Sequence, residues 1–204
     1  MKLIVASNNA HKVEELRAIL SGLGFEVCAQ KDIGLHVEPE ENGETFEENS
    51  LIKASATLRA CGFATVADDS GLMVDALGGA PGVHSARYGG PDYRTDRERL
   101  QLLLRNMEHE ENRRARFVSV ITLLLPDGKK ITARGACEGE ILRQPQGDNG
   151  FGYDPVFYVP EAGCTFAQMP AVQKNRISHR ARALALLAER IREEQWDADE
   201  QTAR

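Results

Sequence analysis

Residues 3–20 read LIVASNNAHKVEELRAIL, and this opening stretch indicates the fold class. Leu3 to Ala6 is an apolar run of the length of a buried strand, and a polar turn follows it. After the turn, apolar residues recur at helical spacing up to Gly22, namely Val13, Leu16, Ile19 and Leu20. A strand, a loop and a helix in this order are typical of an α/β protein.

Further helices are marked by residues that cap a first turn. Thr45 with Glu48, and Thr95 with Glu98, form the capping-box pattern, in which a threonine and a glutamate satisfy the first amides of a helix. Ser178 is placed to cap a last helix that has an apolar stripe of its own. The sequence therefore predicts at least three helices after the first.

The remaining strands are short and bounded by turn residues. Two of them flank Pro126-Asp127-Gly128, which predicts a hairpin of antiparallel strands. The strands are predicted at 26–29, 65–67, 116–125, 130–137 and 140–143. The sheet that they form with the first strand should be mixed.

Composition limits the classes of function. The chain of 204 residues suits one domain, predicted at 1–196, with a loose acidic tail at 197–204. Its net charge of −6 argues against non-specific binding to nucleic acid or to an anionic membrane. No apolar run reaches the length of a membrane span, and the first one is too short for a signal-peptide core. We expect a cytoplasmic protein that binds neither nucleic acid nor membrane.

Four cysteines are too dispersed to form a metal site by local spacing. Cys28, Cys61, Cys137 and Cys164 include no CxxC pair and no histidine at zinc-ligand spacing. We expect four buried or half-buried thiols, and neither a disulfide framework nor a zinc site.

The first turn is a candidate phosphate site. Its residues, Ser7, Asn8, Asn9, Ala10, His11 and Lys12, lie between a strand and a helix, where backbone amides and the helix dipole favour an anion. An ordinary helix cap is the alternative explanation. The turn contains neither GxxxxGK[ST] nor GxGxxG, so a phosphate site here would be of another kind.

Adjacent carboxylates follow the strand at 65–67. Asp68 and Asp69 are poorly explained by packing or capping, and strand alternation allows one of them to face a ligand. Magnesium commonly takes one or two carboxylates together with phosphate oxygens and waters. The acidic loop with Glu38, Glu40 and Glu41 could supply a second carboxylate, although most of its residues would form a solvated surface.

Two later segments suit a base and an anion. Gly150-Phe151-Gly152-Tyr153-Asp154-Pro155 places two aromatic rings and a carboxylate between glycines, which suits a flat ring with polar edges but is also common over cores. Lys174, Arg176, His179 and Arg180 concentrate positive charge at the start of the last helix. A plain basic helix start is the alternative.

Taken in order, these segments resemble the inosine/xanthosine triphosphate pyrophosphatase family, the non-standard purine nucleoside triphosphate pyrophosphatases. The resemblance spans nearly the whole chain. Its motifs are SNNAHKVEE at 7–15, ENGETFEENSLIKA at 41–54, ADDSGLMVDALGGAPGVHSARYGG at 67–90, GFGYDPVF at 150–157 and QKNRISHRARAL at 173–184.

The resemblance implies an α/β fold with an elongated mixed β-sheet flanked by helices and two lobes around a central cleft. It implies a homodimer and Mg²⁺-dependent hydrolysis of ITP, dITP and XTP to the monophosphate and pyrophosphate, which cleanses the nucleotide pool. The family's metal carboxylates fall on Glu40 and Asp69, its general base on Asp69, and its phosphate-reaching lysine on Lys53. Its substrate contacts fall on Ser7, Asn8, Asn9, Ala10, His11, Lys12, Ser70, Phe151, Gly152, Tyr153, Asp154, Lys174, His179 and Arg180.

Some residues depart from the family pattern. His84 stands where tyrosine is usual, Gln168 where an acidic residue is common, and Val172-Gln173 where an acidic pair is usual. Two rival functions are a related septum-associated pyrophosphatase acting on pyrimidine or modified nucleotides, and a nucleotide-binding regulator without turnover. We also expect that residues 7–12, Asp69 and Arg180 line one cleft.

Overall fold

The computed structural model describes residues 2–193, so the predicted tail at 197–204 lies outside the described residues. Within 2–193 the α-helices are α1 (Ala10–Leu20), α2 (Phe46–Cys61), α3 (Asp96–Asn106), α4 (Ala171–Ile177) and α5 (His179–Glu193). The strands are β1 (Lys2–Val5), β2 (Glu26–Ala29), β3 (Ala64–Val74), β4 (Arg114–Leu124), β5 (Lys130–Ile141), β6 (Phe157–Val159) and β7 (Cys164–Thr165). No helix in this part of the chain is long and apolar enough to cross a membrane.

The seven strands form one mixed sheet in the order β2-β1-β3-β4-β5-β6-β7. β1 is parallel to β2 and to β3, with Val5 opposite Ala29 on one side and Val66 on the other. Leu3, Ile4 and Val5 are buried, as expected of a parallel strand that is covered on both faces. This explains why the opening run is continuously apolar, and it confirms the predicted mixed α/β fold.

The predicted hairpin is present as β4 and β5. Residues 125–129 join these neighbouring strands, and the Leu125 amide donates to the Lys129 carbonyl at 2.9 Å. A connection this short is possible only between antiparallel strands. The separate strand predicted at 140–143 is wrong, because Glu140 and Ile141 end β5 and pair there with β6. β5 continues through Gly139, where a Cβ would overlap the Tyr158 carbonyl oxygen and the Phe157 ring.

The capping predictions are confirmed. Thr45 Oγ1 accepts from the Glu48 amide at 3.2 Å, while the Glu48 carboxylate accepts from the Thr45 amide at 3.1 Å. Thr95 and Glu98 make the same reciprocal bonds at the start of α3. Ser178 Oγ accepts from the Ala181 amide in the first turn of α5, as expected of a capping serine.

β3 is longer than its predicted span of 65–67. It continues through Asp68-Asp69-Ser70-Gly71, which therefore lies within a strand and not in a loop after one. The prediction ended early because aspartate and glycine are depleted in strands. Here each carboxylate has a lysine partner, so the charge does not break the strand.

The chain divides into two compact units, each with its own hydrophobic core. Among the described residues, unit 1 comprises 2–69, 120–134 and 183–193, and unit 2 comprises 70–119 and 135–182. The core of unit 1 packs α1 and α5 against β1, whereas that of unit 2 packs α3 against β3 and the Phe157 region. The switch between units falls between Asp69 and Ser70 within β3.

Candidate active site

In unit 1, the turn between β1 and α1 is stabilised by hydrogen bonds from its own side chains. Asn9 caps α1 by accepting from the Lys12 amide at 3.2 Å, and Ser7 Oγ accepts from the Asn9 amide at 3.2 Å. Asn8 reaches the acidic loop, where its amide donates to Glu38 at 2.7 Å. Asn8 to His11 are exposed. The turn is thus a capped helix start whose surface is open to a ligand.

Each carboxylate of the β3 pair receives a different lysine. Lys12 Nζ lies 3.0 Å from Asp68 Oδ2, and Lys53 Nζ lies 2.7 Å from Asp69 Oδ1. Lys53 also contacts Glu41 at 3.1 Å. Successive strand side chains point to opposite faces, which accounts for the separate partners. The sequence prediction that only one of the two carboxylates serves a given ligand is consistent with this arrangement.

Asp69 has unused capacity to bind. Its side chain is 7% exposed, and its Oδ2 is buried with no hydrogen-bond partner among the described residues. A buried acceptor without a partner is costly, so such an atom is expected mainly where a ligand completes it.

Burial and neighbouring charges shift the pKa values of Asp69 and Lys53. Burial raises the pKa of Asp69 above its usual range, although Lys53 and Lys12 oppose the rise. For Lys53, burial would lower the pKa, but the carboxylates of Asp69 and Glu41 outweigh it and raise the pKa. Lys53 therefore stays charged at neutral pH, and Asp69 is a better proton acceptor than an ordinary aspartate.

The carboxylates of Asp69 and Glu40 in unit 1 are the ones that could hold a magnesium ion together with a phosphate chain. Within residues 2–193 no three His, Cys, Asp or Glu residues form a complete metal site. Magnesium does not need one, because it is commonly held by one or two carboxylates, phosphate oxygens and waters. The partnerless Oδ2 of Asp69 is a suitable ligand atom. Glu40 is exposed, whereas Glu41 is already bound to Lys53.

In unit 2, Ser70 and Arg180 meet despite lying 110 residues apart. The Arg180 guanidinium donates to Ser70 Oγ at 3.0 Å, and Arg180 is one of the largest fully buried side chains. His179, its neighbour, is buried and stacks on the Phe117 ring with 4.8 Å between the ring centroids. A buried guanidinium and a buried imidazole thus lie at the start of α5.

Asp154 organises the glycine-rich segment. Its Oδ2 accepts from the Phe151 amide at 3.0 Å and from Lys174 Nζ at 2.8 Å. The Lys174 ammonium lies 5.0 Å from the centroid of the Phe151 ring, within cation-π range. Gly150 has a φ of 75°, and a Cβ there would overlap the Asp154 carboxylate. Glycine is therefore required at this position on two grounds.

The two aromatic rings of this segment have different environments. Phe151 is partly exposed, whereas Tyr153 belongs to the core of unit 2 and donates its hydroxyl to the Ser85 carbonyl at 2.8 Å. The sequence placed both rings beside a flat ligand. In the structure the Phe151 ring keeps some exposed surface that a flat ligand could contact, while the Tyr153 ring is buried in the core of unit 2.

The sequence that forms these sites matches a family model over nearly its whole length. The model of the Ham1 family matches residues 3–190. This chain belongs to the Ham1 family.

Relatives of this Ham1 chain carry the name that the motifs led us to expect. It is 51% identical over 191 residues to a dITP/XTP pyrophosphatase of Thermus thermophilus, covering 93% of this chain and 91% of the relative. It is 46% identical over 194 residues to the dITP/XTP pyrophosphatase of Haemophilus influenzae, covering 93% and 98%. The resemblance stated from the motifs is confirmed.

Solved structures confirm the Ham1 fold. A HAM1 protein from Coxiella burnetii superposes with a TM-score of 0.85 at 40% identity, covering 95% of this chain and 99% of that one. The Ham1 protein of Staphylococcus aureus gives a TM-score of 0.84 at 39% identity, covering 95% and 100%.

Two residues of this Ham1 chain depart from the family pattern without loss of local structure. Gln168 completes a capping box with Thr165, whose amide donates to Gln168 Oε1 at 2.9 Å, a contact that glutamine and glutamate make equally. His84 is exposed in the segment Gly82–Arg87.

Two residues that hold the glycine-rich segment of this Ham1 chain were not predicted from the sequence. Asp96 accepts from the Gly152 amide at 2.9 Å, and Ser85 accepts from Tyr153. A capping-box pattern marked the region of Asp96, but nothing local in the sequence signals either partner. The structure thus gathers the predicted residues into a lysine–carboxylate cluster in unit 1 and a cationic group with Phe151 in unit 2. The expectation that both line one cleft stays a prediction.

Proposed function

We propose that this Ham1 chain hydrolyses non-standard purine nucleoside triphosphates, namely ITP, dITP and XTP, to the monophosphate and pyrophosphate. The observation that carries the proposal is the buried, partnerless Oδ2 of Asp69 beside Lys53 and close to the Lys12–Asp68 pair. Its relatives named dITP/XTP pyrophosphatases support the choice of substrate.

The residues of unit 1 would bind the triphosphate and prepare the water. Lys12 and the N-terminus of α1 would supply positive charge to the phosphate chain, and Lys53 keeps its charge through Asp69 and Glu41. Asp69 and Glu40 would hold Mg²⁺, which when bound neutralises charge on the phosphates. Electrostatic stabilisation of this kind usually dominates phosphoryl transfer.

Asp69 would also act as the general base. Its carboxylate orients a water toward the α-phosphorus and accepts a proton as the new P–O bond forms. The bond between the α-phosphorus and the bridging oxygen breaks, and pyrophosphate leaves with that oxygen. Burial, which raises the pKa of Asp69, makes the carboxylate a stronger base for this step.

The residues of unit 2 would select the base. Phe151 offers a face for stacking, while Lys174, His179 and Arg180 are donors suited to the 6-keto oxygen of hypoxanthine and xanthine. Adenine has an amino donor at that position, and unpaired buried donors can cost discrimination of about 10⁴ or more. Guanine keeps the 6-keto group, so its rejection must come from the 2-amino group and should be weaker.

The resemblance also implies a cytoplasmic homodimer, and we propose both for this chain. Light scattering of the purified protein would test the dimer, because a dimer would have twice the chain mass of 22.5 kDa.

Steady-state hydrolysis of a nucleotide panel with magnesium tests the proposed function. We expect pyrophosphate as product, fast turnover of ITP, dITP and XTP, slow turnover of ATP, and loss of activity with a chelator. Orthophosphate as the main product in a pyrophosphatase-free assay would refute attack at the α-phosphorus. A preference for pyrimidine or modified nucleotides would indicate the septum-associated activity, and binding without turnover would indicate a regulator.

A further inference from the structure

Ser85 fills a gap in the hydrogen bonding of β3. The pairing of β3 with β1 runs from Ala64 to Val66, so the later residues of β3 on that edge need other partners. The Leu72 amide finds one in Ser85 Oγ at 2.9 Å. The same hydroxyl donates to the Gly82 carbonyl at 2.7 Å, and Ser85 is buried. A buried amide that loses its acceptor is strongly disfavoured, so this contact fixes β3 against the segment Gly82–Arg87.

The backbone of Ser85 makes a second connection. Its carbonyl accepts from the Tyr153 hydroxyl at 2.8 Å in a buried environment. Tyr153 lies in sequence between Phe151, whose ring is partly exposed, and Asp154, which binds both the Phe151 amide and Lys174. Movement of the Tyr153 ring would therefore move the groups that are proposed to contact the base.

The two connections join parts of unit 2 that are remote in sequence. On one side, Leu72 lies two residues after Ser70, which receives the buried Arg180 guanidinium. On the other side, Tyr153 carries the Phe151–Asp154 segment. Among the described residues, Ser85 is bonded to both sides through its hydroxyl and its carbonyl.

We propose that Ser85 is a positioning residue for base selection, which sets the spacing between the Ser70–Arg180 pair and the Phe151–Asp154–Lys174 group. The inference rests on the proposed function and adds a specificity role for a residue that does not contact the substrate. Donors that must meet a keto oxygen tolerate little displacement, since an error of about 1 Å in placement can cost on the order of 100-fold. Loss of either bond of Ser85 should therefore weaken selection more than it weakens the triphosphate chemistry of unit 1.

Tyr153→Phe and Ser85→Ala test the two connections separately. Tyr153→Phe removes one hydroxyl from a nearly isosteric side chain, and its matched control is Tyr158→Phe, because the structure gives the Tyr158 hydroxyl no hydrogen bond among the described residues. Ser50→Ala is the control for Ser85→Ala, since Ser50 is a buried serine whose hydroxyl bonds Thr122 in unit 1. If Ser85→Ala does not fold, Tyr153→Phe alone decides.

The readouts are kcat and KM for ITP and ATP and the affinities for IMP and AMP by calorimetry, with thermal melting. We expect both test variants to have a higher KM for ITP, which lowers the ratio of kcat/KM for ITP to kcat/KM for ATP by about tenfold or more. The ratio of the affinity for IMP to that for AMP should fall in parallel. The controls should keep the wild-type ratios. A folded Tyr153→Phe protein with unchanged ratios would overturn the role of Ser85 while wild-type ITP turnover upholds the proposed function. A wild type that neither binds nor hydrolyses ITP would overturn both.

Discussion

Asp68 and Asp69 show how one residue of offset gives two aspartates different tasks. Asp68 is fully buried against Lys12, so its charge is used within the protein. Asp69 gives one oxygen to Lys53 and keeps the other without a partner. Asn in either position keeps the shape and removes the charge.

We expect Asp69→Asn to lose about 10²- to 10⁴-fold in kcat at saturating magnesium, the usual cost of removing a general base. The protein should stay folded in thermal melting, because the change is nearly isosteric and Glu41 still lies 3.1 Å from Lys53. Asp68→Asn is the matched variant. It should affect kcat less and raise KM, since Lys12 loses its partner. A larger kcat defect in Asp68→Asn would transfer the base role to Asp68.

Glu40 and Glu41 can be separated by their magnesium dependence. Lys53 already holds Glu41 at 3.1 Å, whereas Glu40 is exposed. We expect Glu40→Gln to raise the magnesium concentration needed for half-maximal activity by about tenfold or more, on the scale of lost metal contacts. Glu41→Gln should change it less and act through Lys53. The reverse ranking would assign the second ligand to Glu41.

Cys137 should be chemically inert in the folded protein. Burial raises the pKa of its thiol to about 11, so at pH 8 only about one molecule in a thousand carries the reactive thiolate. Iodoacetamide at pH 8 should leave Cys137 unmodified, as peptide mass mapping would show. In urea all four cysteines should react. Cys137 is buried and Cys28, Cys61 and Cys164 are half-buried, which confirms the predicted burial of the four thiols.

At the scale of elements, the caps of α2 and α3 are the most predictable features, because their bonds join residues three apart. Thr95→Ala should lower the free energy of unfolding by about 1 kcal/mol, while Thr95→Ser should retain most of it. Urea denaturation at neutral pH measures both. Equal stability of Thr95→Ala and wild type would show that the capping bond contributes nothing net.

The same caps should make stability depend on acid pH. Backbone amides lower the pKa of Glu98 and of Glu48 below their ordinary value of 4.5. Their contribution is present above that ordinary value and is lost as the pH falls through the lowered pKa of the folded state. Glu98→Gln should therefore show a weaker decline of stability below pH 4.5 than wild type. A parallel decline would exclude Glu98 as a source.

Strand predictions failed where the deciding contacts are not local. β6 and β7 have three and two residues, too few for a periodic signal. β3 was ended early because the lysines that neutralise its aspartates lie on α1 and α2, far away in sequence. Local patterns therefore located the helices and the hairpin, while tertiary ion pairs decided the length of β3.

At the scale of the whole molecule, the motifs named the candidate residues but not their partners. Lys12 with Asp68, Lys53 with Asp69, and Arg180 with Ser70 are pairs separated by 16 to 110 residues. Several motifs in the right order identified the family, although no single motif would have done so. Ser85 was missed because its role depends on a strand and a loop that meet only in the fold.

β3 carries Asp68, Asp69, Ser70 and Leu72 on one uninterrupted strand. The face on which each side chain lies therefore depends on the number of residues that precede it in the strand, as well as on its identity. Loss or gain of a single codon between Ala67 and Leu72 would move the downstream side chains to the opposite face of the sheet. Arg180 and Ser85 would then face different residues of β3 from the ones that they now contact. Substitutions here can be tested one position at a time by natural variation. An insertion or a deletion instead shifts all the later positions at once. We therefore expect the length of this segment to stay fixed among related genes even where its residues change.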